Sequence, residues 1–152
     1  MSDWHYLFLP RPASMKTIRH CLAGSHELNR DLDLGELEEL NVRENSGQLV
    51  CVIERESAPI SEVVEEAVLG RISNPDALQG FQLRYCKWPG MNHLLARLAD
   101  RSDAWIYLDG AEGALISGAA YALQVRINPA WSPFVSPPGP FRDDGKLHGG
   151  AA

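Results

Sequence analysis

Three short runs of the chain are apolar on both sides of any strand they form: residues 4–9 (Trp-His-Tyr-Leu-Phe-Leu), 49–53 (Leu-Val-Cys-Val-Ile) and 105–108 (Trp-Ile-Tyr-Leu). Each is too short for a buried helix and rich in aromatic or β-branched residues, so each reads as an interior strand covered on both faces. A chain with three such strands needs a sheet and something to cover it, and helical stripes between the runs supply the cover. After Pro10 and Pro12 end the first run, Ser14 is placed to cap a helix carrying Met15, Ile18, Cys21 and Leu22 on one side, with Gly24 as its stop. Pro59 opens a second stripe over residues 60–70, with Ile60, Val63, Val64, Ala67 and Val68 on one face and Glu62, Glu65 and Glu66 opposite. Pro89-Gly90 opens the cleanest stripe, Met91, Leu94, Leu95, Leu98 and Ala99, predicting a helix over 91–100.

The remaining strands follow from alternation and turns. Leu40 and Val42 alternate with polar neighbours over residues 37–43, and Asn45-Ser46-Gly47 turns that strand back into 49–53. Phe81, Leu83 and Tyr85 alternate with Gln82, Arg84 and Cys86, so this strand shows one face to water or to a partner. Asp109-Gly110 and Glu112-Gly113 turn into a strand over 114–117, and Tyr121, Leu123, Val125 and Ile127 alternate as a last strand. The order predicts an α+β fold, a mostly antiparallel sheet with helices packed on one face, either ferredoxin-like or a duplicated β-α-β-β. Residues 15–23 overlay residues 91–99, matching Met, Leu and Ala at the ends. The domain is expected over residues 1–128. Residues 129–152 form a Pro/Gly-rich C-terminal tail, extended or disordered except where Trp131 and Phe134 pin it.

Charge is segregated along the chain. Of 152 residues with a net charge of −6, the stretch 27–66 holds twelve acids against three bases, net −9, and the remainder is +3. The acidic balance argues against non-specific nucleic-acid binding, which runs on clustered Lys and Arg. A solvated face that keeps the protein soluble and an acidic surface that steers a basic partner both fit the segment. On the second reading the contact residues are Glu36, Glu38 and Glu39 on the hairpin and Glu62, Glu65 and Glu66 on the helix, with Glu62 and Glu66 on one helix face. No apolar run has the length of a membrane helix. Residues 1–5 lack the basic and apolar regions of a secretory leader, and three widely spaced cysteines read as reduced thiols, so a cytoplasmic location is expected.

Chemistry-bearing motifs are sparse. The five histidines, His5, His20, His26, His93 and His148, stand in no i, i+3 or i, i+4 pair, and there is no Cys-x-x-Cys. Asp31 and Asp33 near His26 read as solvated loop residues. Cys51 is placed as a buried strand residue and Cys21 on a helix edge. Cys86 beside Lys87 is the one thiol with a route to a lowered pKa, and His93 is its candidate partner. Glycine-rich phosphate loops and a Gly-x-Ser-x-Gly elbow are missing. The expectation is a non-enzymatic protein with no catalytic residue, no metal and no cofactor.

Residues 94–99 (Leu-Leu-Ala-Arg-Leu-Ala), a short turn and residues 105–110 (Trp-Ile-Tyr-Leu-Asp-Gly) resemble small cytosolic immunity proteins of bacterial toxin systems. That resemblance implies an acidic α+β protein that binds and blocks one cognate toxin, here a basic one such as a nuclease. In length and in its two possible β-α-β-β units the chain is also similar to GyrI-like multidrug-binding domains. This second likeness implies small-molecule binding, with an acidic pocket for a cationic ligand. The tyrosine-glycine stretch those domains carry after the first strand is replaced here by Pro10-Arg11-Pro12.

Overall fold

The computed structural model describes residues 5–28, 39–100, 103–109 and 115–134. Its strands are β1 (His5–Pro10), β2 (Glu27–Leu28), β3 (Glu39–Arg43), β4 (Leu49–Arg55), β5 (Leu78–Arg84), β6 (Trp105–Leu108) and β7 (Leu115–Ser117). They form one sheet in the order β2-β3-β4-β5-β1-β6-β7, antiparallel at every pairing. The three runs with two apolar faces are all interior: β1 lies between β5 and β6, β4 between β3 and β5, and β6 between β1 and β7. The β3–β4 hairpin closes on Gly47, whose φ of +91° is a conformation that favours glycine.

Among the described residues there are five α-helical segments: α1 (Met15–Leu22), α2 (Ile60–Val63), α3 (Glu66–Leu69), α4 (Gly90–Ala99) and α5 (Gly118–Ile127). Ser14 caps α1 as its position predicts. Its hydroxyl accepts from the Thr17 N–H at 3.2 Å while the Thr17 hydroxyl accepts from the Ser14 N–H at 2.9 Å. The α+β class and the antiparallel sheet are as expected, and α1, α4 and α5 share one face. There Leu7, Leu9, Ile53, Phe81, Leu83 and Ile106 meet Ile18, Leu22, Leu94, Leu95 and Leu98. The opposite face is also covered in part. Phe8, Leu78 and Leu115 pack against Ile60, Val64 and Ile72, held there by α2, α3 and the turn that follows.

The topology refines the two candidate architectures. β5 sits between β1 and β4, and β1 sits between β5 and β6. The path β1-α1-β4-β5-α4-β6 is therefore an interlocked β-α-β-β-α-β unit of ferredoxin-like type, with β2 and β3 added at one edge and β7 at the other. Its second helix is α4, not the segment 60–70. The overlay of residues 15–23 on 91–99 pairs the two equivalent helices. A repeat of β-α-β-β does not follow, because β4, the second strand of its hairpin, docks on β5, whereas β6, the first strand of its own, docks on β1.

Three local expectations are corrected. Residues 121–127 form a helix, not a strand. The Ser117 hydroxyl caps it by accepting from the Ala120 N–H at 3.1 Å, and the small Gly118 allows its first turn to approach Ala99. The alternating Leu123 and Ile127 are 39% and 63% exposed, so apolar character there does not mark a buried face. The helix over 60–70 is broken at Val64 and Glu65, whose ψ angles of 152° and 148° are extended. Two successive β-branched valines resist helix, and Val64 is buried from its extended conformation. Tyr85 does not continue the inward row of Phe81 and Leu83. β5 ends at Arg84, and Tyr85 takes φ +56° and is 60% exposed.

Beyond Asn128, Trp131 is buried edge-on to Tyr121 at 5.4 Å. Phe134 lies against His5 and Trp88, with ring centroids at 5.4 and 4.9 Å. Asn92, buried on α4, ties this segment down. Its amide donates to the Pro129 carbonyl at 2.9 Å and to the Trp131 carbonyl, and its oxygen accepts from the Tyr121 hydroxyl at 2.7 Å. Residues 135–152 lie outside the described residues.

Candidate binding surface

Direct cross-strand neighbours point to the same side of a sheet. The register therefore lines up Glu39, Glu54, Gln82, Tyr6, Tyr107 and Leu115 in one row across β3, β4, β5, β1, β6 and β7. The row lies on the face that α2 and α3 only partly cover. At its β3 end the Arg84 guanidinium bridges Glu54 at 2.7 Å and Glu39 at 3.4 Å. In the middle, the Gln82 amide donates to the Glu56 carboxylate, whose other oxygen accepts from the Ala58 N–H at 3.0 Å. Glu56 is buried at 8% exposure and fixed from both sides. Gly80 makes room for it, since a Cβ there would stand 3.4 Å from the Glu56 Cβ and 3.3 Å from the Phe8 ring.

Tyr6 and Tyr107, half-buried, stand side by side with ring centroids 6.4 Å apart, and Tyr6 lies parallel to Phe8 at 6.0 Å. Burial raises both phenol pKa values, and nearby carboxylates raise them further: Glu56 and Asp109 at Tyr6, Glu65 and Asp109 at Tyr107. Two aromatic rings ringed by three carboxylates attract a cation in two ways, through charge and through the ring faces.

The acids singled out from the sequence fall unevenly on this surface. Glu39 is at its β3 end, already paired with Arg84, and Glu65 is close enough to act on Tyr107. Glu62, Glu65 and Glu66 are all exposed, but the break between α2 and α3 removes the i, i+4 relation expected of Glu62 and Glu66. Glu36 and Glu38 lie outside the described residues. Tyr6, Glu56, Tyr107 and Asp109 were missed. The polar alternation of Gln82 and Arg84 was the signal that this face is open.

A separate cleft of about 540 Å³ opens between α4, α5 and the two turns at Ser25 and Asn45. Pro89, Ala96, Val125 and Pro129 form an apolar wall, and His26, Glu44 and His93 stand on the polar side. Glu44 has a structural role there. A Cβ on Gly90 would lie 2.9 Å from its Oε1, so the carboxylate sits over the first turn of α4, which has no side-chain cap. No family model, curated protein or solved structure matches the chain.

His93 faces His26, with ring centroids 5.2 Å apart, rather than serving as a partner for Cys86. Cys86 lies near Cys51 and Tyr121, and burial pushes the Cys51 thiol well up, which suits an inert core residue. Among the described residues no three His, Cys, Asp or Glu side chains converge as a ligand set for a metal ion, and no helix is long and apolar enough to cross a membrane.

Proposed function

We propose that the chain is a non-enzymatic binding protein that docks a basic protein partner on the Tyr6–Tyr107 face, most concretely a cytoplasmic immunity protein that masks a basic toxin. The observation that carries this reading is the placement of Glu56, Glu65 and Asp109 around two half-buried tyrosines on an incompletely covered sheet face. Carboxylates at the margin steer a basic partner into encounter, and tyrosines supply the anchoring area that charge alone does not. Glu39 and Glu54 contribute less, because they share Arg84, which cancels one of their two charges.

The test is the association of the full chain with the protein encoded by the adjacent gene, followed over a salt series. The association rate should fall as salt rises. Reversing Glu65 and Asp109 to Lys should slow association, and Tyr107→Ala should speed dissociation, each with the fold intact by circular dichroism. Rates indifferent to salt and to these substitutions would return the acids to the role of a solvated face. The buried Glu56 beside Tyr6 favours a second reading, a site for a cationic small molecule. An aromatic quaternary ammonium that binds wild type and not Tyr6→Ala, with no protein complex formed, would select that reading.

A further inference from the structure

We propose that His26 and His93 form a two-imidazole site for a divalent late first-row metal ion such as Zn²⁺, with its remaining coordination positions open to the cleft. The two residues come from distant parts of the chain, His26 from the turn after α1 and His93 from the exposed side of α4. With a metal–nitrogen bond of about 2.0–2.1 Å and roughly 1.2 Å from ring nitrogen to ring centre, two imidazoles on one tetrahedral ion hold their centroids about 5.2–5.4 Å apart. The pair stands at 5.2 Å, its planes inclined at 56°.

The surroundings of His26 fix which nitrogen is available. The Ser25 hydroxyl donates its one proton to the Leu22 carbonyl at 2.9 Å. With that proton on the carbonyl, the His26 Nδ1, 3.0 Å from the Ser25 Oγ, donates to it in the Nδ1–H tautomer. That leaves Nε2 as a lone pair in the neutral ring. A ligand histidine whose second nitrogen donates to an oxygen is the usual arrangement at protein metal sites. Arg97 and Glu44 are the charged groups that act on His26 from the neighbouring elements. Arg97 is itself tied to the Cys21 carbonyl at 2.7 Å, and the Glu44 carboxylate offsets its charge. Imidazole donors favour zinc, copper and nickel over magnesium or calcium. With two protein ligands, the ion keeps positions for water or for a small ligand held against the wall of Pro89, Ala96 and Val125.

The test is titration of the full chain with Zn²⁺ against a chromophoric chelator, with Mg²⁺ as the control ion. One Zn²⁺ should bind per chain and Mg²⁺ should not compete. Because His93 is exposed, His93→Ala should keep the fold, and it should weaken Zn²⁺ binding by at least about tenfold, the low end of the loss seen even for outer-sphere partners. Ser25→Ala should weaken it less, and His20→Ala not at all. Co²⁺ should give a spectrum of nitrogen and oxygen ligation. Equal Zn²⁺ affinity in wild type and His93→Ala, or thiolate charge-transfer bands with Co²⁺, would overturn the site.

Discussion

The two faces of the sheet are finished differently. One carries α1, α4 and α5 over a continuous apolar layer, with Leu7, Phe81, Leu83, Leu94, Leu95 and Ile106 all fully buried. The other carries two single helical turns, a smaller apolar cluster and the row from Glu39 to Tyr107. The difference begins in the covering segments. The stripe of α4 is built of leucines, methionine and alanine, which lose little side-chain freedom in a helix, whereas the segment 60–70 relies on β-branched valines and breaks at Val64. A long helix seals its face and leaves no place for a partner. A broken one leaves part of the sheet open, and polar and aromatic residues occupy the opening.

This contrast can be broken most sharply at Gly118→Ala. The added Cβ would lie 1.7 Å from the Ala99 carbonyl oxygen, a backbone atom that cannot move without displacing α4 from α5. Denaturant unfolding should show a loss of about 3 kcal/mol or more. Core truncation on the two faces should differ next. Leu94→Ala in the sealed face should cost towards the upper end of about 2–5 kcal/mol, and Ile60→Ala under the broken helix towards the lower end. Equal losses at comparable deletions would mean that both faces are sealed alike.

A smaller effect follows from alkaline titration. Burial raises the Tyr121 phenol above its ordinary 10.0, an effect only partly offset by the hydrogen bond from the Trp88 indole. The raised folded value makes the neutral phenol a stabilising group. Its contribution is fully present below about pH 10 and is lost as pH rises through the folded value, amounting to about 1.4 kcal/mol by about pH 11. Stability should fall over that range in wild type and less in Tyr121→Phe. Of the three tyrosines with raised values, Tyr6 and Tyr107, which are far less buried than Tyr121, should ionise before it.

How much of this was legible in the sequence depends on range. The strands β1, β4 and β6 and the helices α1 and α4 were readable because apolar period and capping residues agree within each segment. α5 was misread because alternation over Tyr121, Leu123, Val125 and Ile127 is equally compatible with a helix whose outer side is apolar. The break at Val64 depends on where that side chain is buried, which periodicity does not record. The candidate surface was readable only at its ends, through Glu39 and Glu65. Its middle is assembled by register across β5, β1 and β6, and no local pattern ties Tyr6 to Gln82 or Tyr107. For the same reason His26 and His93, far apart in the chain, showed no ligand spacing.

The central place of β1 has a consequence for how the protein is made. β1 is synthesised before both of its neighbours, β5 and β6, which include residues as late as Leu108. Contacts of such long sequence separation form slowly, because the intervening chain must be gathered first. During synthesis, residues 5–10 therefore wait with unpaired backbone along both edges until the chain through Leu108 has emerged. Tyr6 and Tyr107 become neighbours only then, so a nascent chain has not yet formed the row of residues that joins them.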